Sequence, residues 1–476
     1  MLTAPPTPPP ERRVFANRTL NLRAIKAVGC DMDYTLIHYR HELWEQRAYD
    51  HVVRRMGESG WPVQGLRFDP EFATRGLVID LELGNLVKAT RFGFVLRACH
   101  GTRVLDHDEQ RKVYSRVLVD LSEPRWVFLN TLFSLSEACL YAQLVDRLDA
   151  GELKQPVGYR DLYDAVRTSV NTAHMEGALK ADIVRDPDTF VEPDPELPQA
   201  LLDLKHAGKT LLLITNSEWS YTQAMMSYAF DRHLPKGQTY RDLFDVLIVE
   251  ARKPEFFTTR GAMYEVVGDD GLLKPAHKLE RGHVYYGGNA RLVEQYLQVP
   301  GEEILYIGDH VYADVHVTKD VLRWRTALVV REVEAEIIAA EAFTAKQADL
   351  SQLMAQKAEL ERQQSWLRLT LQRVEGGYAP LAAAGKQDVS EIKTRLGELR
   401  AELEKLDPRV GALAKEASEL GHRGWGPLLR AGSDKSRMAR QLERYADIYT
   451  SRVSNLLYVT PFAYLRPPPG KLPHDP

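Results

Sequence analysis

The sequence predicts an α/β protein that has a Rossmann-like, doubly wound parallel sheet, an inserted cap domain and a helical, coiled-coil hairpin. Several short apolar runs each end in a polar loop, which is typical of buried parallel strands. About 180 residues separate the first two of these loops, although a connection between a strand and a helix needs only a few. A later stretch, rich in Ala, Glu, Lys, Leu and Gln, has helical periodicity and predicts the hairpin.

The first predicted strand is the apolar run 27–30, which Asp31 and Asp33 follow directly. Residues i and i+2 of an extended chain point the same way, so these two carboxylates can converge at the carboxyl end of the strand. Open α/β sheets bind ligands at that end. A solvated turn after a strand is the alternative interpretation of this Asp pair taken alone.

Three further apolar runs have the same form, and each ends in polar residues. They are 211–214 before Thr215, Asn216 and Ser217, 246–249 before Lys253, and 304–307 before Asp309 and Asp314. The last two acids are expected to lie one short loop apart. A helix predicted at 219–230 begins just beyond Thr215, and a helix N-terminus favours a phosphate group. The four strand ends therefore present acid, hydroxyl, lysine and acid.

This order of side chains suits the transfer of a phosphoryl group. One carboxylate can act as a nucleophile and form an acyl phosphate, while a second protonates the leaving oxygen and later takes a proton from water. Carboxylates without His or Cys companions suit Mg²⁺, and lysine together with the metal neutralises charge on the transferring group. Each segment alone could be structural, since a lysine after a strand is usually solvated. Their joint occurrence in this order favours a catalytic site.

The four motifs resemble those of the haloacid dehalogenase superfamily of phosphatases. The resemblance implies that Asp31 is the nucleophile and that Asp33 is the general acid/base. It also implies that Thr215, Asn216 and Lys253 hold the phosphate.

The same resemblance implies a Mg²⁺ site. Asp31, Asp33 through its backbone carbonyl, and Asp309 are expected to bind the ion, and Asp314 to support the site from behind these ligands.

Segments outside the four motifs resemble the purine-preferring, IMP/GMP-specific cytosolic 5'-nucleotidases. These segments are 74–78, 84–88, 100–101, 130–133, 251–254 and 444–447. The likeness extends over roughly 14–465, apart from one helical segment. It implies a Mg²⁺-dependent 5'-nucleotidase that hydrolyses purine nucleoside monophosphates, IMP or GMP, through a phosphoaspartate.

The stretch 41–205 is predicted to form a cap that folds over the phosphate site, excludes water and selects the leaving group. The resemblance implies that five of its residues shape nucleotide recognition: Phe133, Arg167, Asn171, His174 and Lys180. Phe133 is expected to stack on a purine. Asn171 stands where the family pattern has an acidic residue, and an amide both donates and accepts hydrogen bonds, so the base preference could differ.

Structural alternatives exist for several of these cap residues. Phe133 could be a core aromatic residue, Arg167 and Lys180 could belong to a solvated helix face, and His174 could be a core histidine with satisfied hydrogen bonds.

On the second helix of the predicted hairpin the steps between apolar residues alternate between three and four. The first helix follows the same seven-residue pattern with polar interruptions at Lys357 and Gln364, and both helices thus carry the apolar residues of a coiled-coil seam. They are Leu350, Leu353, Leu360, Leu367, Leu371 and Val374 on one helix, and Val389, Ile392, Leu396, Leu399, Leu403, Leu406, Val410 and Leu413 on the other. Pro408 is expected to kink or break the second helix. The hairpin either packs internally or provides a contact in a homo-oligomer.

These patterns divide the chain into five parts. They are a disordered Pro-rich lead (1–13), the catalytic core (14–40 and 206–334), the cap (41–205), the hairpin (335–420) and a C-terminal segment (421–476) that returns to the core.

Composition limits the partners and the compartment. The chain has 476 residues and a formal net charge of −4, which offers no general attraction for nucleic acid or an acidic membrane. It contains no apolar run of about 18 residues, so we expect no membrane span. Cys30, Cys99 and Cys139 are too few for a disulfide framework, which favours a reducing compartment. A cytoplasmic protein is therefore expected.

Two other functions are compatible with the sequence. A nucleoside phosphotransferase would pass the phosphoryl group to a nucleoside instead of water. A scaffold protein would use the hairpin as its working surface and carry a vestigial site. The complete set of six polar strand-end residues argues against a vestigial site.

Overall fold

The four apolar runs form neighbouring parallel strands in the computed structural model of the protein. The structure describes residues 7–153, 156–175, 177–378 and 388–470, without the side chains of residues 173–175 and 178. In spatial order the four strands are Ile304–Gly308, Ala27–Cys30, Thr210–Ile214 and Val246–Val249. Their predicted positions and the α/β fold class are confirmed. Strands in a parallel sheet are covered on both faces, which explains why these runs are almost wholly apolar.

The core sheet contains ten strands within the described residues. In spatial order they are Phe15–Ala16, Ile448–Thr450, Arg325–Val329, Ile304–Gly308, Ala27–Cys30, Thr210–Ile214, Val246–Val249, His283–Gly287, Met263–Val267 and Leu272–Ala276. The first strand and the last two run antiparallel to their neighbours, and the strands between them are parallel. All the predicted strand ends therefore lie at one edge of the sheet.

The antiparallel edge hairpin Met263–Val267 and Leu272–Ala276 was not predicted. Its outer strand is exposed along nearly its whole length and contains Pro275, so it lacks the apolar pattern of a buried strand. Proline lacks a backbone N–H, and a sheet tolerates it at such an edge because the nitrogen can face solvent, where the sheet needs no hydrogen-bond donor.

The C-terminal segment contributes the strand Ile448–Thr450, which pairs with Arg325–Val329. Asp447, just before it, is fully buried and accepts hydrogen bonds from Lys319 Nζ at 2.7 Å and Arg325 Nε at 3.0 Å. Burial alone would raise the pKa of Asp447, but these two cations outweigh burial and lower it. This buried ion cluster fixes the C-terminal strand to the sheet.

A second, antiparallel sheet lies, in sequence, between the core strands Ala27–Cys30 and Thr210–Ile214. Its five strands, in spatial order, are Arg103–Val104, Val95–His100, Asn85–Ala89, Val78–Asp80 and Trp126–Phe128. Four helices accompany it: His41–Glu58, Leu135–Asp149, Tyr159–Met175 and Ala178–Arg185. We call this region the cap. Its own apolar core contains Val78, Val87 and Trp126.

Two linkers join the cap to the core sheet, and they pair with each other. His38–Tyr39 leads into the cap, Val191–Glu192 leads out of it, and the two form an antiparallel ribbon. The helix Leu197–His206, which the sequence analysis included in the cap, instead packs against the core strand Thr210–Ile214.

Further helices and short strand pairs complete the described part of the fold. The helices are His107–Tyr114, Pro187–Phe190, Trp219–Phe230, Tyr240–Leu243, Glu255–Thr258, Ala290–Leu297, Glu332–Ala342 and Arg437–Tyr445, and the short strand pairs are Leu20–Asn21 with Tyr464–Leu465 and Arg430–Ala431 with Asp434–Lys435. The helix predicted at 219–230 is confirmed.

A separate compact unit, residues 336–427, contains two long helices, Thr344–Glu375 and Val389–Ser418. Ion pairs join Lys346 to Glu416, Lys357 to Asp407 and Glu375 to Lys393. Residue numbers along the first helix therefore increase as those of their partners on the second decrease, which shows that the two helices are antiparallel. The predicted seam is buried at Leu353, Leu360, Leu399, Leu406 and Val410. A role of this hairpin in oligomerisation stays a prediction.

Two expectations differ from the structure. The second long helix is not broken at Pro408 but continues to Ser418, because Val410 and Leu413 beyond the proline still pack in the seam. The disordered lead expected at 1–13 is partly ordered, since Pro10–Arg12 form a 3-10 turn and Arg12 donates to Glu196 at 2.6 Å.

Among the described residues, none of the helices combines the length and apolarity needed to cross a membrane.

A fully buried carboxyl connects two cap helices. Glu45, on the helix His41–Glu58, accepts a hydrogen bond at 2.6 Å from the backbone N–H of Ser136, at the start of Leu135–Asp149. Within the part of the chain that the structure describes, its other oxygen has no hydrogen-bond partner. Burial therefore raises the pKa of Glu45 to about 7, although the bond from Ser136 opposes the shift.

This raised pKa predicts a pH-dependent cost to stability. In the unfolded chain Glu45 ionises near its ordinary pKa of 4.5. Between that pH and about 7 the unfolded state loses its proton more readily, so the free energy of unfolding falls as the pH rises. Glu45→Gln removes this dependence, and its stability relative to the wild type should improve by about 2 kcal/mol from pH 5 to pH 8. Urea unfolding at both pH values measures the difference.

Glu42→Gln provides the matched control, because Glu42 is exposed on the same helix. Its stability relative to the wild type should stay nearly constant over this pH range. An equal constancy for Glu45→Gln would contradict the assignment of a buried, proton-retaining carboxyl.

Candidate active site

Three carboxylates and one lysine meet at the carboxyl edge of the core sheet. Asp31, Asp309 and Asp314 are buried, and each places one oxygen within 4.8 Å of the others. Lys253 Nζ lies 2.8 Å from Asp31 Oδ1 and 2.7 Å from Asp314 Oδ1. These four side chains follow three different strands, so the parallel order of the sheet brings them together.

The backbone after the first strand is held in an unusual conformation. The N–H of Asp31 continues the ladder by donating to the carbonyl of Ile307 at 2.9 Å, and the N–H of Met32 donates to Asp31 Oδ1 at 2.7 Å. Tyr34 then adopts a φ of 53°, in the left-handed region that residues other than glycine rarely occupy. Such strain is concentrated at functional sites.

The proton affinities of these groups reflect burial opposed by charge. Burial raises the pKa of Asp31 to about 6, although Lys253 lowers it, and Asp314 raises it further. Burial and the neighbouring Asp314 and Asp31 raise the pKa of Asp309 well above its ordinary value. Burial lowers the pKa of Lys253, but Asp31 and Asp314 outweigh it and raise that pKa well above its usual range.

The three carboxylates fit a divalent cation. Asp309 Oδ2 is buried and has no hydrogen-bond partner among the residues that the structure describes, although a buried polar atom normally has one. Lys253 supplies one positive charge for three carboxyl groups, so an additional cation would complete the charge balance. An all-oxygen donor set is the type that hard cations such as Mg²⁺ and Ca²⁺ prefer.

Asp33 lies beside this group, but its carboxyl makes different contacts. Its Oδ1 accepts from the hydroxyl of Tyr39 at 2.5 Å, and its Oδ2 accepts from Ser217 Oγ at 2.6 Å. Tyr221 in turn donates to the hydroxyl of Tyr39 at 2.9 Å. Burial raises the pKa of Asp33, while Lys180 and these hydrogen bonds oppose the shift. The acidic groups of the first motif therefore occupy two different environments.

The second motif connects the first strand end to the lysine. Thr215 is fully buried, and its Oγ1 accepts from the N–H of Ser217 at 3.1 Å. The side-chain amide of Asn216 donates to the carbonyl of Lys253 at 3.1 Å and accepts from its N–H at 2.7 Å. Asn216 therefore fixes the backbone that carries the buried ammonium group.

The fourth motif differs from the expected short loop. Residues Val311–His316 form a π-helical turn, and Asp314 lies within it. The N–H of His310 donates to Asp314 Oδ2 at 3.1 Å, and His310 Nδ1 accepts from the N–H of Ala313 at 3.0 Å. These bonds stabilise a helical turn directly after the strand, which returns the second acid toward Asp309.

Arg75 was missed as a component of this site. It is 1% exposed, donates to the backbone carbonyl of Asp309 at 3.1 Å and pairs with Glu332 at 2.6 Å. Sequence patterns near Arg75 do not predict this role, because Arg75 belongs to the cap and its partner Glu332 lies 257 residues away.

The cap residues proposed for nucleotide recognition fall into two groups. Lys180 reaches the second motif, where it donates to Glu218 at 2.6 Å and to Ser217 Oγ at 3.3 Å. The half-buried ring of Phe133 packs against Tyr34, with centroids 4.7 Å apart.

The other three candidates lie on the helix Tyr159–Met175. Arg167 is exposed and lies beside Tyr163 and Glu137, and Asn171 is exposed. The side chain of His174 lies outside the described part of the structure. The structure therefore brings Lys180 and Phe133 into contact with residues of the first two motifs, whereas Arg167 and Asn171 are exposed on their helix.

Comparison with known proteins identifies the family. Residues 14–476 match the model of the 5' nucleotidase family. A 5'-nucleotidase domain-containing protein from Dictyostelium discoideum is 28% identical over 477 aligned positions, which cover 97% of this chain and 74% of that protein. A solved structure, the archaeal β-phosphoglucomutase from the hyperthermophile Pyrococcus sp. strain ST 04, shares 10% identity and covers 64% of this chain and 86% of its own, with a TM-score of 0.30.

The fold and the site define a phosphoryl-transfer enzyme, because carboxylate pairs, a hydroxyl and a buried lysine meet at the carboxyl edge of a parallel sheet. The chain belongs to the 5' nucleotidase family. It is therefore a phosphoric monoester hydrolase, and its substrates are nucleoside monophosphates. The family is of a metal-dependent phosphatase type, which agrees with the buried acidic triad.

Neutralising one acid of the triad should have opposite effects with and without metal. In Asp309→Asn the repulsion among buried carboxylates decreases, so the thermal midpoint in EDTA should rise by several degrees. The further stabilisation that MgCl₂ gives by binding the folded state should shrink, with at least about a 10-fold weaker apparent affinity. Thermal unfolding across a MgCl₂ titration measures both changes.

Asp320→Asn serves as the control, since Asp320 is half exposed and pairs with His316 outside the triad. It should leave the response to MgCl₂ unchanged. If Asp309→Asn kept the wild-type response to MgCl₂, the triad would not be the metal site.

Proposed function

We propose that the protein is a Mg²⁺-dependent 5'-nucleotidase that hydrolyses purine nucleoside monophosphates, IMP or GMP, through a phosphoaspartate on Asp31. The observation that carries the proposal is the buried group formed by Asp31, Lys253, Asp309 and Asp314. Asp31, Asp309 and Asp314 would hold the ion, with the backbone carbonyl of Asp33 as a further ligand. When bound, Mg²⁺ supplies positive charge next to the transferring phosphoryl group.

Asp31 is suited to the role of nucleophile. One of its oxygens pairs with Lys253 at 2.8 Å, and its pKa of about 6 leaves it largely ionised at neutral pH. In the first step an Asp31 oxygen forms a bond to phosphorus while the bond from phosphorus to the 5' oxygen breaks. The proton of Asp33 passes to that leaving oxygen, and the nucleoside departs.

Asp33 is suited to the proton transfers of both steps. Burial raises its pKa, which favours retention of a proton nearer neutral pH than for an exposed aspartate. In the second step a water molecule attacks the phosphorus of the acyl phosphate and gives its proton to Asp33. The bond to Asp31 breaks, inorganic phosphate leaves, and both carboxyl groups return to their starting states.

The phosphate would lie between the second and third motifs. Lys253 supplies positive charge, and Thr215 together with Asn216 follows the neighbouring strand. Lys180, which donates to Ser217 and Glu218, lies on the same side and can contribute further charge. For the base, the ring of Phe133 supports the proposal of purine stacking, because the cap holds it against Tyr34 of the first motif.

A cytoplasmic site of action is part of the proposal. The three cysteines are free and buried, which is consistent with a reducing compartment.

Asp31→Asn should abolish turnover, because an amide is a poor nucleophile and cannot form the acyl phosphate. Acid quenching of the wild type during turnover of a ³²P-labelled nucleotide should give protein-bound label that hydroxylamine removes. The variant should carry no such label. A folded Asp31→Asn protein that still turns over, or that is still labelled, would eliminate the proposed nucleophile, and Asp320→Asn should behave like the wild type.

A phosphate-release panel tests the proposed substrate class. With MgCl₂, IMP and GMP should give kcat/KM values at least about 5-fold above those of pyrimidine monophosphates and sugar phosphates, because one favourable aromatic stacking contact contributes roughly 1 kcal/mol or more. EDTA should remove the activity. A flat profile, or one led by sugar phosphates, would refute the purine assignment, and phosphate transfer to added inosine would indicate a phosphotransferase.

A further inference from the structure

Asp33 is held at both carboxyl oxygens by donors from different parts of the chain. Tyr39 donates to Oδ1 at 2.5 Å and comes from the linker ribbon, whereas Ser217 donates to Oδ2 at 2.6 Å and comes from the second motif. Two donors on opposite oxygens define the plane of a carboxyl group, which a single bond would leave free to rotate.

The hydroxyl of Tyr39 is itself fixed by three independent contacts. Its backbone pairs with Val191 in the ribbon, and its ring, 4% exposed, packs on Trp44 with centroids 4.5 Å apart. Tyr221 donates to its oxygen at 2.9 Å. A donor constrained in backbone, ring and hydroxyl is preorganised, so it holds its acceptor with little loss of entropy.

The second donor has a support of its own. Ser217 Oγ accepts from Lys180 Nζ at 3.3 Å, and Lys180 Nζ lies 4.9 Å from the centre of the Tyr221 ring. Tyr221 supports the first donor to Asp33 and Lys180 supports the second, and Lys180 and Tyr221 are themselves in contact. Residues from the first motif, the ribbon, the second motif and the cap thus form one polar network.

We propose that Tyr39, supported by Tyr221, is a positioning residue that orients the carboxyl group of Asp33 toward the leaving oxygen of the substrate. This inference rests on the proposed function, in which Asp33 protonates that oxygen. Tyr39 forms no bond to the substrate and exchanges no proton with it. It acts only through Asp33, so it affects the proton that reaches the leaving oxygen in the first step and the proton taken from water in the second. The first-turnover burst measures the first step alone.

The dependence on the leaving group separates this role from a general effect on folding. The 5' oxygen of a nucleoside is a poor leaving group as an alkoxide, so it needs a proton from Asp33. By contrast, p-nitrophenolate is a good leaving group and departs without a proton. In Tyr39→Phe, kcat for the nucleoside monophosphate that the wild type hydrolyses fastest should fall about 10- to 100-fold, with KM changed less than about 2-fold. The rate of the first-turnover burst with p-nitrophenyl phosphate, measured by stopped flow, should stay within about 2-fold of the wild type.

Tyr221→Phe provides a second, milder variant in case Tyr39→Phe fails to fold. It removes the donor to Tyr39 but leaves the bond from Tyr39 to Asp33, so it should show the same pattern with a smaller loss. Thermal unfolding of each variant establishes that the protein is folded.

Tyr114→Phe is the matched control. Tyr114 is a buried cap tyrosine whose hydroxyl donates to a buried aspartate, Asp80, at 3.0 Å, outside the active site. The same chemical deletion at Tyr114 should lower thermal stability but leave both substrates at their wild-type rates.

Asp33→Asn distinguishes failure of this inference from failure of the proposed function. Asp33→Asn should lose about 10²- to 10⁴-fold on the nucleotide and little of the p-nitrophenyl phosphate burst. If Asp33→Asn loses as little on the nucleotide as on the p-nitrophenyl phosphate burst, or as much on both, the acid/base role of Asp33 is wrong. In the Asp33→Asn background, adding Tyr39→Phe should have no further effect on either substrate, because Tyr39 acts through the carboxyl group.

Three results would overturn the positioning role while leaving the function of Asp33 intact. They are wild-type nucleotide turnover in folded Tyr39→Phe, an equal loss on both substrates, and an additive loss when Tyr39→Phe is combined with Asp33→Asn.

Discussion

The buried ion pairs of Lys253 are the interaction on which the site depends. A lysine in this environment is costly unless it is paired, and it is paired with Asp31 at 2.8 Å and with Asp314 at 2.7 Å. The two acids follow different strands, so the ammonium group joins three strand ends at one point of the sheet edge. Asp309 remains beside this group, and one of its buried oxygens has no hydrogen-bond partner in the described ranges of the chain. The site thus combines three carboxyl groups with one ammonium group, and an additional cation would complete the charge balance.

The core of the fold could be predicted because its signals are local. Each of the four central strands is a short apolar run with a polar end, and burial on both faces produces that pattern. The edge strand Leu272–Ala276 has no such signal, because an exposed strand needs no apolar residues. The helical turn Val311–His316 was also missed, since its stability comes from hydrogen bonds between His310, Asp314 and the backbone.

The strand-end residues of the site could be predicted for the same reason, but the groups that support them could not. Tyr39 and Tyr221 are 182 residues apart in sequence, and Arg75 and Glu332 are 257 apart. Each of these contacts exists only because the cap, its linker ribbon and the core sheet are folded together. A single sequence contains no periodicity or spacing that would reveal such pairs, and the resemblance to a family identified the motifs without their supports.

The aromatic residues around the first motif connect the proposed base site to the acid/base group. Tyr34 packs edge-on against Phe133 at 4.7 Å and against Tyr39 at 5.3 Å, and Trp44 contacts both Phe133 and Tyr39. A base that stacks on Phe133 would therefore press on the same cluster that fixes the hydroxyl of Tyr39. Because close-packed interiors have low compressibility and transmit strain, a base seated incorrectly against Phe133 would also disturb the orientation of Asp33. Substrate selection in the cap and proton transfer at the sheet edge would then be linked through four rings rather than through the phosphate alone.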